Sequence, residues 1–159
     1  MNAPQTLLHD GISALIPHSG TMCLLASLQA WDAQHIVCTA TNHRAADHPL
    51  RTRSGLLATA AIEYAAQAMA LHGALIGQAT GAPVTPGYLA SARAVQLHTL
   101  RLDDLPPPAD ADGPDELRIE ATRQAGDARQ ILYAFSVQHA GRPVAEGRAA
   151  VVLNTPLSP

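Results

Sequence analysis

The sequence contains no lysine; all ten basic residues are arginine. Schiff-base catalysis and a phosphate loop built on a lysine are thereby excluded. Aromatic residues make up only 3% of the chain, so the core has to be assembled from Ala, Leu, Val and Ile. Cysteine is nearly absent. Cys23 and Cys38 both lie in apolar segments, are too few for a disulfide framework, and read as buried free thiols. There is no excess of either charge, with 10 basic residues against 13 acidic and a formal charge of −3. Neither a nucleic-acid surface nor an acidic tail is indicated.

A clean membrane-length apolar run is also missing. The most apolar stretch, Gly55 to Gly77, carries Glu63, Gln67 and His72, which a membrane span rarely tolerates. The first residues have no basic start, and their short apolar run stops at His9-Asp10. That is not a secretory signal, and a reducing cytoplasm is the expected compartment.

What is present is a chain of 159 residues, 47% hydrophobic and 14% charged, the composition of a packed globular protein. No repeat or linker divides it. One domain is expected over 1–159, with residues 154–159 as a frayed tail.

Residues 6–16 read as a short helix or turn closed by Pro17. Thr21–Leu28 is apolar and strand-like, and a turn follows at Trp31-Asp32. His35–Thr41 alternates β-formers and pairs with it as a hairpin. Asn42 to Ser54 is a polar loop. Gly55 to Gly77 is the one long helix, rich in Ala, Leu, Met, Gln and Glu, with Ser54 as N-cap and Gly77 as C-cap. It is apolar around most of its circumference, so it is expected to be buried on more than one side. Tyr88–Leu100, Leu117–Arg123, Ile131–His139 and Pro143–Leu153 read as strands. Leu105–Glu116, rich in Pro and Asp, reads as an exposed, mobile loop. Two strands, one buried helix and four further strands predict an α+β fold, a curled antiparallel sheet wrapped around one long central helix. That is the hotdog architecture. Its edge strand predicts a dimer that extends the sheet.

Glu63 is the most informative residue. It sits in AAIEYAAQAM with no cation three or four positions away. A carboxylate in such a setting is costly unless it serves a purpose. The competing reading is a solvated stripe or a bond to nearby backbone. Gln67 lies four residues on, hence on the same face. His48, in the loop before the helix, is the candidate base, with His43 its rival there. Gly55 would let a carbonyl approach the N–H groups of a first helical turn. His72 reads as structural. Arg51 and Arg53 read as solvated, or as contacts for an acidic carrier or a phosphate. Cys38, His43 and His48 have no zinc-ligand spacing, so no metal is expected.

These segments together resemble the 3-hydroxyacyl-acyl carrier protein dehydratases of the hotdog superfamily. LIPHSGTMCLL is similar to that family's opening motif. IEYAAQAMA is similar to its helix motif, with Glu followed four residues later by Gln. GYLASARAVQL and AGRPVAEGRAAVVL are similar to the strand after the helix and to the closing hairpin. EYAAQAMA and GYLAS resemble most closely the dehydratase-like proteins of aryl polyene gene clusters. The resemblance implies reversible loss of water from a 3-hydroxyacyl thioester on an acyl carrier protein, in fatty acid or aryl polyene type biosynthesis. It implies a carboxyl group at Glu63, a histidine at His48 and a substrate-contacting glycine at Gly55; Gln67 and His43 are expected from their positions as further substrate contacts. The site would be built from two subunits, in a homodimer or a heteromer with another hotdog subunit. No cofactor is implied, because elimination next to a thioester needs only acid–base groups. A carboxyl group in an apolar tunnel would be held protonated and serve as the acid.

The chain also departs from that family. Asp47-His48-Pro49-Leu50-Arg51 stands where the family has a Gly-His-Phe-Pro-Gly loop. Gly55 precedes Glu63 by nearly one helical turn more than the family's spacing of about five residues. Two other readings stay open: a non-catalytic partner of an active hotdog subunit, and a hotdog thioesterase.

Overall fold

The computed structural model describes residues 7–81 and 87–153. The expected frayed tail over 154–159 lies outside them. Within the described residues, six strands form one antiparallel sheet around one long helix, the hotdog fold. In chain order these are α1 (His9–Ser13), β1 (Ser27–Trp31), β2 (His35–Ala40), α2 (Ala60–Thr80), β3 (Gly87–Leu97), β4 (Leu117–Gly126), β5 (Gln130–His139) and β6 (Arg142–Leu153). The order across the sheet is β1-β2-β4-β5-β6-β3.

Alternation along each strand sets which side chains meet α2. Cys38, Ile119, Val137 and Ala145 stand opposite one another across four strands, and all four are buried. Their neighbours point outward, as in the Arg118–Glu120 pair, where Nε donates to Oε1 at 2.7 Å. The β5–β6 hairpin turns at Ala140 and Gly141, both at positive φ (49° and 77°), the geometry a two-residue hairpin requires.

α2 buries Ala61, Tyr64, Ala65, Ala68, Leu71, His72 and Leu75, a 3–4 residue spacing that marks one face. Glu63, Ala66, Ala70 and Gly73 lie on a more open side. His72 holds the buried face in place. Its Nε2–H donates to the Asp32 carbonyl at 2.7 Å, and its Nδ1 accepts from the Tyr133 hydroxyl at 2.8 Å. The structural reading of His72 matches this placement. No helix among the described residues is long and apolar enough to cross a membrane.

The helix, the first strand and one loop differ from the sequence reading. The helix starts at Ala60, not Gly55, because residues 56–58 are drawn out against residues 100–102. Ala58 N–H donates to the Leu100 carbonyl, and Leu102 N–H to the Leu56 carbonyl. It also runs past Gly77 to Gly81, whose left-handed φ of 70° closes it. Thr21–Ala26 is not strand: a 3-10 turn over Gly20–Met22 leads into extended chain, and β1 begins at Ser27. Finally, the Leu105–Glu116 loop is anchored. Arg44 donates to the carbonyls of Asp103 and Leu105 and to the Asp115 carboxylate.

The two sheet edges are treated differently. β1 is covered by residues 7–8, through Leu28 N–H to Leu7 O and a bridge between Leu8 and Ser27. β3 has β6 on one side only and is exposed over most of its length.

Gly55 is a structural requirement of the loop. It has φ 98°, and an added Cβ would lie 2.7 Å from both Asp103 carboxylate oxygens. Leu56 N–H donates to that same carboxylate at 2.9 Å. Gly55→Ala is expected to destabilise the protein by about 1–3 kcal/mol. Urea denaturation checks this; an unchanged midpoint would refute it.

Candidate active site

Glu63 lies in the first turn of α2. Its side chain keeps 34% exposure and lines a cavity of about 330 Å³ together with Pro17, His18, Ala66, Ala70 and Tyr88. One carboxylate oxygen, Oε1, is held from two sides. Gln67 Nε2 donates to it at 3.1 Å, and His18 Nε2 lies 3.0 Å away. No hydrogen bond is recorded for Oε2 among the described residues.

Gln67 is fully buried, and its amide is completely used. Its Oε1 accepts from Leu24 N–H at 2.8 Å. Its Nε2 donates to the Met22 carbonyl at 2.8 Å as well as to Glu63. This explains why Thr21–Ala26 is not a strand: the backbone of Met22 and Leu24 is paired with a helix side chain. The same segment begins just after His18, so the Gln67 clamp also fixes where that histidine stands. The spacing of Glu63 and Gln67 made their pairing legible. His18 is 45 residues from Glu63, and no local pattern links them.

His18 is the residue that sequence reasoning missed. Its position is set by Pro17 before it and by Ser13 Oγ, which donates to its carbonyl at 3.4 Å. Its Nδ1 is buried with no partner among the described residues. The one available signal was its place in the LIPHSG motif, which the resemblance had already singled out.

The structure does not bring His48 to Glu63; no hydrogen bond or ion pair joins them. His48 is buried, and both of its ring nitrogens are taken. Nε2–H donates to the Tyr64 hydroxyl at 2.9 Å, and Nδ1 accepts from Leu50 N–H at 3.0 Å. The Tyr64 hydroxyl donates onward to Asn42 Oδ1 at 2.5 Å. Burial pushes the His48 imidazole below its ordinary pKa and raises that of the Tyr64 phenol. His48 lines a separate, wider cleft of about 640 Å³, which shares no lining residue with the Glu63 cavity.

His43 belongs to a different cluster. Its Nε2 and that of His139 lie 3.2 and 2.8 Å from Asp115 Oδ1. Arg44 holds the same carboxylate through Nε to Oδ2 at 2.6 Å, which keeps Asp115 well below the usual carboxylate range. His43, His139 and Asp115 are the three groups among the described residues close enough to share a metal ion. The Arg44 guanidinium on that carboxylate fits a cross-brace between loops better than a cation site. Cys38 is buried in β2, and its thiol is pushed up to about 12 by burial.

Gly55 is buried five residues ahead of the helix, against Asp103. The first-turn N–H groups it was expected to expose are occupied. Those of Ala60, Ala61 and Ile62 donate to the carbonyls of Leu57, Ala58 and Thr59. Arg51 pairs with Asp103 at 3.3 Å.

The Glu63 cavity continues into a smaller one of about 60 Å³ through Pro17, Ala70, Gly87 and Val151, which line both. Met69, Ile131 and Tyr133 line this inner part. The arrangement therefore offers a carboxylate with one oxygen unbonded among the described residues, beside an imidazole, at the head of an apolar recess.

A family model described as ApeP-like, ApeP dehydratase, matches residues 11–158. Among solved structures, the chain is similar to the dehydratase heterocomplex ApeI:P from Xenorhabdus doucetiae, with 20% identity over 91% of each chain and a TM-score of 0.76. It is also similar to a hypothetical thioesterase with coenzyme A from Streptococcus pneumoniae, with 13% identity, 82% of this chain and 87% of that one covered, and a TM-score of 0.55. AziG from S. sahachiroi matches at 19% identity over 81% and 90% of the two chains, with a TM-score of 0.52. No curated protein matches.

Two outcomes are expected from this network. Gln67→Leu strands the buried Leu24 N–H and should cost about 1–3 kcal/mol in chemical denaturation; a stability equal to wild type would contradict the clamp. The second concerns acid. Burial lowers the pKa of His43, His48 and His72 from the ordinary 6.5. The unfolded chain then binds more protons than the folded one as pH falls through that value. Asp115, held low, adds a loss in the same direction at still lower pH, once its unfolded form protonates. The thermal midpoint should therefore fall from about pH 7.5 to about pH 5.5, with a shallower slope in His72→Gln. A midpoint that rises on acidification would show the sign to be wrong.

Proposed function

This chain belongs to the ApeP-like dehydratase family, and on that premise we propose that it removes water from a 3-hydroxyacyl thioester, with Glu63 as the carboxyl group that meets the substrate. The observation that carries this reading is the clamped Glu63 carboxylate, one oxygen held and the other unbonded, at the head of an apolar recess. Elimination needs a proton taken from C2, which the thioester carbonyl acidifies, and a proton given to the hydroxyl leaving C3. The products are the trans-2-enoyl thioester and water. Both transfers are acid–base steps that side chains perform without a cofactor. The recess past Ala66 and Ala70 suits the acyl chain.

An acyl carrier protein is the proposed bearer of the thioester, in fatty acid or aryl polyene type biosynthesis. The free, buried thiols of Cys23 and Cys38 are in keeping with a reducing, cytoplasmic setting. The proposed partner is a second hotdog subunit laid against β3. Tyr88, Leu89 and Leu97 are 40–50% exposed on that unpaired edge, and long apolar edges call for cover. The Xenorhabdus relative is itself a heterocomplex, which favours a different subunit over a copy of this chain. A second reading, a partner subunit without turnover of its own, is supported by the occupied first-turn N–H groups of α2. They leave no backbone donors there for a thioester oxygen.

The test is mass spectrometry of a 3-hydroxyacyl carrier protein incubated with the purified chain, beside Glu63→Gln. Wild type should yield the dehydrated carrier, and Glu63→Gln should be slower by roughly a hundredfold or more. A folded wild type that acts only with a second hotdog subunit would favour the partner reading. Release of free carrier thiol would identify a thioesterase instead.

A further inference from the structure

We propose that His18, from the same chain, is the histidine that works with Glu63, and that it does so as a positioning residue for that carboxylate. The chemistry in this proposal rests on the dehydratase reading; the pairing itself does not.

Four observations converge. His18 Nε2 lies 3.0 Å from Glu63 Oε1, and both side chains line the same cavity. Gln67 donates to that same oxygen from the other side, so Oε1 is fixed and Oε2 is the oxygen left for substrate. The loop histidine has no such freedom, because Tyr64 and Leu50 take both nitrogens of His48. His18 also bears a cost that the fold does not explain, since its Nδ1 is buried without a partner among the described residues. A buried polar atom left orphaned is rare in folded proteins and calls for a reason. The reason offered here is its other nitrogen. Turning the ring to satisfy Nδ1 would remove Nε2 from the carboxylate. Tyr88 is the one other titratable side chain lining this cavity.

With Nε2–H donated to Oε1, that oxygen is occupied and Oε2 is the oxygen that acts as base. Oε2 takes the proton from C2. The same carboxyl group returns that proton to the hydroxyl as the C3–O bond breaks. The C2–H electron pair becomes the C2=C3 double bond, and water leaves. The balance closes with no oxidant, reductant or second proton donor. His18 holds the carboxylate in one orientation throughout, as the buried carboxylate of a Ser-His-Asp triad orients its imidazole, but with the roles reversed.

Two independent readouts test this. The first uses turnover. His18→Ala should lower kcat by roughly ten- to a hundredfold with KM changed less than about threefold, and His18→Gln, whose amide can still donate to Oε1, should recover to within roughly tenfold of wild type. A His18→Ala enzyme with wild-type kcat, or a loss confined to KM, would overturn the proposal. So would abolished turnover in a folded His48→Gln beside an unaffected His18→Ala. The second readout is the nitrogen NMR spectrum of the imidazoles and needs no turnover. His18 should sit in the Nε2–H tautomer in wild type and become a mixture of tautomers in Glu63→Ala. A Nδ1–H tautomer in wild type would sink the pairing. If wild type proves inactive while the tautomer result holds, the dehydratase reading fails and the His18–Glu63 pairing stands.

Discussion

The side-chain amide of Gln67 is the contact on which the rest of the site depends. It is fully buried in α2, and each of its hydrogen-bonding groups is engaged. A buried amide left unmatched is expensive, whereas a matched one fixes geometry. Here it satisfies Leu24 N–H and the Met22 carbonyl, two backbone groups with no strand to pair with. That docks the segment after His18 onto the helix. The remaining hydrogen goes to Glu63. One side chain therefore fixes the path of the N-terminal segment, the position of His18 and the orientation of the carboxylate.

The helix has two sides with different duties. The buried face is packed by Tyr64, Leu71, Leu75 and small alanines, and it is locked by His72 between Tyr133 and the Asp32 carbonyl. The open side carries Glu63 and then the small residues Ala66, Ala70 and Gly73, with Met69 and Ala74 beside them at the inner cavity. Small residues there leave room next to the sheet that larger ones would fill. The open side faces β3 at Gly87, Tyr88 and Leu89, so the cavity and the unpaired sheet edge adjoin. A partner laid against that edge would also form a wall of the cavity.

The histidines divide by what their nitrogens touch. His72 and His48 are each bonded at both ring nitrogens within the chain, and they act as struts. His43 and His139 share one oxygen of Asp115 with the help of Arg44. His18 alone joins a carboxylate that lines a cavity. Residue type cannot separate these roles, since all five are the same side chain in polar or mixed surroundings.

How much was legible follows from the range of each interaction. The strands from Leu117 onward alternate apolar and polar residues, and that period alone dictates which face is buried. The long Ala-rich segment, flanked by strands on both sides, required a sheet curled around a helix. Glu63 and Gln67 share a face because four residues make about one turn, so their pairing was written locally. The helix start was not, because residues 56–58 are tied by backbone hydrogen bonds to residues 100–102, a contact between distant segments. The strand over Thr21–Ala26 failed for the same reason: the backbone of Met22 and Leu24 is paired with Gln67, on a helix more than forty residues away. Period and spacing are local properties, and they dictated the fold class and put Glu63 and Gln67 on one face. Which histidine stands beside that carboxylate was decided only by tertiary structure. His18 and His48 lie on loops whose courses depend on the long-range bonds that fold the chain.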